Sequence, residues 1–335
     1  MIIGIDDSGN FQSDKLSMFA AIFIRPKKAK NIKKAFEKWE RTLPKECSVN
    51  GEVKGWLLTD NQLQYFVEHI MSDNGYCQIK HQVFAIAPDN DTNNKLEKQR
   101  AKNVTQYRDG AVESRKKGKK YFTVAGEYEQ TADWLASKSM KTLLKIELLG
   151  MTIFKSFNLA IITSVLRGYD KELGKLTIKI DEGLVDRPSS KAYWRDIMRS
   201  TFWQLSRHNG GVIHISEWRA NHPFLKRFYK HPQSTESLAM FTGEIRECMD
   251  FYDSRDHFEI RIADIVASTY FRHFVSEENL SSTMRTLQTT RVEFGKSYTL
   301  LKMSDNDDPN PLNPYTDKVD GVTMAEIESR YSSID

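Results

Sequence analysis

Four carboxylates stand where an acid can do more than keep a chain soluble. Asp6 closes the apolar run Met1-Ile2-Ile3-Gly4-Ile5 and is followed by Asp7-Ser8-Gly9-Asn10. Asp181 closes a second alternating run, Leu176 to Ile180, and is followed by Glu182-Gly183. Glu52 sits between Gly51 and Gly55, and Asp264 is the only acid in Ile260-Arg261-Ile262-Ala263-Asp264-Ile265-Val266-Ala267. Carboxylates gathered at one place repel each other and raise each other's pKa unless a cation lies between them. Magnesium or manganese suits such a set, because hard cations take oxygen ligands and keep several waters. Each acid also has an ordinary reading: Asp6 and Asp181 as turn formers after strands, Asp264 as a partner for Arg261 or Arg272, and Glu52 as part of a surface loop.

A second group of residues could hold phosphates. Lys191, Arg195 and Arg199 recur every four residues and so share one face of a predicted helix, with Arg187 just before it. Lys54 either contacts a phosphate or pairs with Glu52. The cluster Arg115-Lys116-Lys117-Gly118-Lys119-Lys120 is denser and reads as a loop, while Tyr193 and Trp194 could stack on bases or simply belong to the core. Other chemistries find little support. Ser8 and Ser216 lack a G-x-S-x-G turn, the eight histidines show no H-E-x-x-H pattern, and there is neither a Walker A sequence nor G-x-G-x-x-G.

The elements that must position these residues follow from the hydrophobic pattern. Strands are predicted over residues 1–6, 16–24, 77–87, 175–181 and 211–218, each short, apolar or alternating, and bounded by turn residues. Helices are predicted over residues 27–42, 59–71, 189–207 and 259–274. Between residues 90 and 167 the periodicity is helical throughout, with Gly150 as a candidate break. Three strands, a helical interruption, then strand, helix, strand, helix describe an α/β protein with a five-stranded mixed sheet. An antiparallel meander would be extended by parallel strands, with helices on its faces and a helical insertion at 90–167 between the third and fourth strands. Residues 300–335, with a Pro/Asn/Asp-rich loop at 305–314, read as an irregular tail on a single domain.

The motifs resemble those of the domain-of-unknown-function 3800 family, carried here by Ile5-Asp6-Asp7-Ser8-Gly9, Glu52-Val53-Lys54-Gly55, Ile180-Asp181-Glu182-Gly183 and Ile262-Ala263-Asp264-Ile265-Val266-Ala267. That family is similar to ribonuclease H-like nucleases and integrases. The resemblance implies a ribonuclease H-like fold in which Asp6, Glu52, Asp181 and Asp264 bind two Mg2+ or Mn2+ ions. It also implies hydrolysis of phosphodiester bonds in DNA or RNA. Asp7 stands where the family usually has Glu, so either acid of the Asp6-Asp7 pair could face inward, strand geometry favouring Asp6; Arg261 stands where the family usually has Gln. The rival expectation is a module that keeps the fold without cutting and binds nucleic acid or a protein. Leu143, Leu144, Leu148 and Phe154 of the insertion could then form a homodimer or seat a partner.

Composition bounds these expectations. The chain has 335 residues, 39% hydrophobic and 28% charged, so it can bury a large core. A net charge of +4 permits an acidic partner without requiring one. Three scattered cysteines argue against a disulfide framework or a zinc ribbon. The first residues lack the basic region of a signal peptide, and Lys155 interrupts the apolar stretch 151–166, so a cytoplasmic location without membrane contact is expected.

Overall fold

The computed structural model describes residues 1–11, 16–73, 76–86, 90–206, 212–213, 215, 218–229, 242–275, 280–292 and 298–301. Its centre is a mixed sheet of six strands: β1 (Ile2–Ser8), β2 (Ser17–Ile24), β3 (Ile79–Ile86), β4 (Thr177–Asp181), β5 (Met249–Tyr252) and β6 (Tyr298–Leu301). They lie in the order β6-β3-β2-β1-β4-β5. β1, β2 and β3 form an antiparallel meander, whereas β4 runs parallel to β1 and β5 parallel to β4. β2 and β3 are buried along their whole length; β2 reads as a near-continuous apolar run, whereas β3 carries Lys80, His81 and Gln82 inside, with His81 bonded to Tyr270 and Thr290.

Two cores cover the two faces. Odd-numbered Ile3 and Ile5 of β1 and even-numbered Ile178 and Ile180 of β4 enter one core, with α5 (Met140–Leu166) and α6 (Lys191–Ser206). Met18, Ala20, Ile22 and Ile24 of β2 enter the other, with α1 (Pro26–Glu40), α2 (Asp60–Phe66) and α9 (Phe258–Val275). Alternation along a strand therefore decides which residues of β1 and β4 face α9. At Gly4 the first turn of α9 lies against the sheet: a Cβ there would stand 2.6 Å from the Glu259 carbonyl oxygen.

The insertion between β3 and β4 is helical as expected, made of α3 (Thr92–Lys116), α4 (Phe122–Ala136) and α5. Gly150 does not break α5. A Cβ at that position would meet Thr201 Cγ2 of α6 at 2.8 Å, so the glycine serves close helix packing. Among the described residues α5 is the one helix long and apolar enough to cross a membrane, longer than the stretch 151–166, and 89% of its apolar window is buried in the fold. Leu143, Leu144, Leu148 and Phe154 are all buried in the core behind β1 rather than displayed for a partner.

The fifth strand is a correction. At 212–218 the described residues carry no strand: Ile213 donates its N–H to Asn158 Oδ1, and Trp218 donates its indole N–H to Asp170. Their backbone and side chains are held by polar groups instead of a ladder, while Gly211, His214, Ser216 and Glu217 lie outside the described residues. The strand beside β4 is Met249–Tyr252. β6 adds a sixth strand parallel to β3 and takes residues 300 and 301 from the expected irregular tail; the remainder, 302–335, lies outside the described residues. Arg115 and Lys116 belong to α3 rather than a loop, paired with Glu129 and Glu113. A short helix α7 (Pro223–Phe228), α8 (Thr242–Cys248) and α10 (Ser281–Thr289) are the remaining α-helices among the described residues.

Candidate active site at the ends of the first and fourth strands

β1 and β4 bring two of the acids to one edge. Ile5 pairs with Ile180 in parallel register, so the next residues, Asp6 and Asp181, are neighbours on the same face. That face is the one covered by α9, which supplies Asp264 a turn beyond its contact with Gly4. The Glu52–Gly55 segment completes the group. Its approach depends on Gly55, where a Cβ would stand 2.7 Å from Ile265 Cα and 2.8 Å from Ser268 Cβ. The Gly55 N–H points at Asp264 Oδ2, 3.4 Å away, and Arg272 holds the segment by donating to the carbonyls of Gly55 and Leu58. A short strand pair, Ser48–Val49 with Glu52–Val53, turns through Asn50 and Gly51, both at positive φ, to present Glu52.

Asp6, Glu52 and Asp264 are buried, with 5%, 8% and 8% of their surface exposed, and Asp181 is partly so. The electrostatics follow. Burial holds the Asp6 carboxyl well above the usual carboxylate range, and Asp181 and Asp264 push it further in the same direction. Burial raises Asp181 to about 6, against the pull of Lys54 and with a further push from Glu52 and Asp7. Burial likewise raises Asp264 to about 6, opposed by Lys54 and by the Gly55 N–H. Glu52 Oε1 is buried with no hydrogen-bond partner. Four carboxyl groups thus share one low-dielectric pocket in which full ionisation needs a compensating positive charge.

One such charge belongs to the chain. Lys54 Nζ lies 3.1 Å from Glu52 and 4.0 Å from Asp264, and these acids with Asp6 hold it charged against the opposing effect of burial. As the structure stands, Lys54 is paired within the acidic group. Neither arginine on α9 is the ion-pair partner of Asp264. Arg261 pairs with Glu40, and Arg272 serves the backbone of the Gly55 segment. Among the described residues no three His, Cys, Asp or Glu side chains stand close enough together to hold a metal ion as they lie. The donor set itself is all oxygen, crowded and mutually repelling, with one orphaned buried atom on Glu52, and those properties fit a hard divalent cation.

The neighbouring acids are sorted by strand geometry. Asp7 points to the opposite face, where Lys145 of α5 lies 3.5 Å away. Burial raises its pKa, and Lys145 opposes the rise. Glu182 accepts from Lys191 at 2.5 Å. Gly183 is required beside it, since its N–H donates to Asp181 Oδ2 and a Cβ would press on that same oxygen at 2.5 Å.

The expected cationic stripe is divided. Lys191 is committed to Glu182 and to the Phe251 carbonyl, and Arg195 lies 3.6 Å from Asp250 of β5. Arg199, two turns further on, borders a cavity between α3, α4 and α6. Arg187 is exposed, with its backbone N–H on Ser190. Trp194 is buried in the core, where its ring meets Trp134 edge-on, and Tyr193 stacks on Trp134 at 5.5 Å. Lys145 and Asp250 escaped the sequence reading. Lys145 lies in a helix whose pattern is dominated by its apolar residues, and Asp250 lies in a four-residue strand too short to show a period.

No family model, no curated protein and no solved structure matches the chain.

Proposed function

We propose that this protein is a metal-dependent nuclease that hydrolyses phosphodiester bonds of DNA or RNA, with Asp6, Glu52, Asp181 and Asp264 as the ligands of one or two Mg2+ or Mn2+ ions. The observation that carries the reading is the convergence of these four acids, from four separate segments, into one group in which burial first, and neighbouring carboxylates second, raise the pKa of Asp6, Asp181 and Asp264. A sheet in which a three-strand antiparallel meander is extended by two parallel strands supports the ribonuclease H-like fold that the motifs imply. A bound divalent cation in such a site supplies a water acidic enough to attack phosphorus and neutralises charge on the leaving oxygen.

The chain's own residues have distinct tasks. Asp6 and Asp181 are fixed by the paired strands, and the Asp7 and Gly183 N–H groups hold one oxygen of each, leaving the second oxygen available as a ligand. Asp264 is oriented by the Gly55 N–H and the Ser268 hydroxyl. Lys54 balances the acids, and on substrate binding it can swing from Glu52 to a non-bridging phosphate oxygen. The arrangement needs no protein nucleophile. A wild-type preparation incubated with labelled single- and double-stranded DNA and RNA in manganese should yield products that Asp181→Asn does not. Equal cleavage by both proteins would remove Asp181 from the site.

A further inference from the structure

A cavity of about 560 Å³ opens between α3, α4 and α6, lined by Gln106, Tyr107, Gly110, Tyr128, Arg199, Ser200 and Gln204. Its volume is that of a small-molecule site, and its lining is of an uncommon kind: one cation, two aromatic rings, two amides and a hydroxyl. The rings are built into place. Tyr107 is buried and donates its hydroxyl to the Asp196 carbonyl oxygen at 3.2 Å, while Tyr128 packs at 6.0 Å from it, tilted by 58°. Gly110 lets Tyr128 lie close against α3, since a Cβ there would stand 3.2 Å from Tyr128 Cδ2 and the ring would have to give by a few tenths of an ångström. Gln106 and Gln204 bond to each other across the mouth at 2.8 Å, joining α3 to α6. Whereas Lys191 and Arg195 are matched by Glu182 and Asp250, no carboxylate among the described residues stands within ion-pair distance of Arg199.

We infer that this cavity binds one nucleotide of a single strand, with Arg199 on its phosphate, the Tyr128 ring against its base and the amides of Gln106 and Gln204 on the base edge. A guanidinium at the mouth of an aromatic-walled cavity is the chemistry that recognises a nucleotide, since the phosphate needs a fork of donors and every base offers a face to stack. Position favours the same ligand. α6 begins at Lys191, bonded to Glu182 beside Asp181, and Arg199 lies eight residues along it, about 12 Å at 1.5 Å per residue. A strand entering the acidic edge can therefore follow α6 and place a nucleotide a few positions from the scissile bond into the cavity. The inference rests on the nuclease reading for the identity of the polymer, but its test does not depend on cleavage.

The test is fluorescence anisotropy with fluorescein-labelled single-stranded DNA and RNA 12-mers, in chelator so that nothing is cut. Tyr128→Ala and Arg199→Ala should each weaken binding about tenfold. Arg199→Ala should in addition lower the slope of log affinity against log salt by about 0.7, one phosphate on a single strand. Tyr128→Phe, which keeps the ring, and Arg199→Lys, which keeps the charge, should restore most of the loss, and an abasic scan separates stacking on a base from packing within the fold. Moving one abasic residue along the 12-mer should reveal a position where the missing base costs about tenfold in the wild type and nothing in Tyr128→Ala. Wild-type affinity in both alanine variants, or abasic sensitivity unchanged by Tyr128→Ala, overturns the cavity assignment while leaving manganese-dependent cleavage to stand. A wild-type protein that neither binds nor cuts any strand overturns both readings.

Discussion

Asp264→Asn isolates the repulsion that defines the acidic group. Burial moves the Asp264 carboxyl from the ordinary 3.8 to about 6. A rise of about two pH units at 1.36 kcal/mol each corresponds to about 3 kcal/mol. The direction is set by where the proton binds more tightly. The folded chain holds it more tightly than the unfolded chain, so the contribution of this group is fully present below about pH 4. It falls as the pH rises and is lost above about pH 6. Asparagine keeps one oxygen, which can still accept from the Gly55 N–H; the Ser268 hydroxyl, which donates to the other carboxylate oxygen, can turn to accept from the new amide N–H, and Lys54 retains Glu52 at 3.1 Å, so the fold should survive. Urea unfolding in chelator at pH 4 and pH 7.5 measures the effect. The wild type should lose about 3 kcal/mol more than Asp264→Asn between those pH values, and a part of that loss should return on adding magnesium at pH 7.5. Identical pH dependence in the two proteins would show that Asp264 is not held in a repulsive, low-dielectric site and would refute the reasoning.

Other consequences are open to measurement. Asp6→Asn should lower cleavage in manganese by at least a hundredfold while raising the midpoint of thermal unfolding in chelator, because its neighbours Asp181 and Asp264 lose a competitor; gel assays and calorimetry report the two effects. Gly55→Ala should destabilise by about 1–3 kcal/mol and depress activity, since the new Cβ must displace Ile265 or Ser268 and carry Glu52 and Lys54 away from Asp264; urea melts and initial rates check this together. Calcium should compete with manganese for binding yet support no cleavage, because its looser coordination holds the substrate poorly for in-line attack; inhibition of the manganese reaction by calcium is the readout.

The sequence disclosed what local pattern can disclose. Asp6 and Asp181 were visible because each terminates an apolar run, and the run's period says which face the last residue takes. Asp264 was visible as a lone charge in a helix otherwise fit for burial. The role of Gly55 was not, because its reason is the passage of α9 more than two hundred residues later in the chain. The pairing of Lys54 is hidden in the sequence for the same cause, since it depends on where Asp264 arrives. The pattern points to a strand at 211–218 rather than at Met249–Tyr252: Ile213, Ile215 and Trp218 are buried as a strand's residues would be, yet the Ile213 N–H is held by Asn158 and the Trp218 indole by Asp170. Apolar alternation records burial, and only the ladder partner, which is remote in sequence, decides that burial takes the form of a strand. The cationic stripe on α6 followed from its four-residue spacing, but its division into two paired cations and one facing a cavity depends on β5 and α3.

The central claim is that Asp6, Glu52, Asp181 and Asp264 form one binding site for divalent metal. Isothermal titration of manganese into the purified wild-type protein and into Asp6→Asn, at pH 7.5 and without nucleic acid, tests it most directly. The account predicts saturable binding of one or two ions to the wild type and loss of at least one ion in Asp6→Asn; repeated at pH 6, where Asp181 and Asp264 are about half protonated, binding to the wild type should also release protons. No manganese binding by the wild type, or the same stoichiometry and affinity in Asp6→Asn, would contradict it.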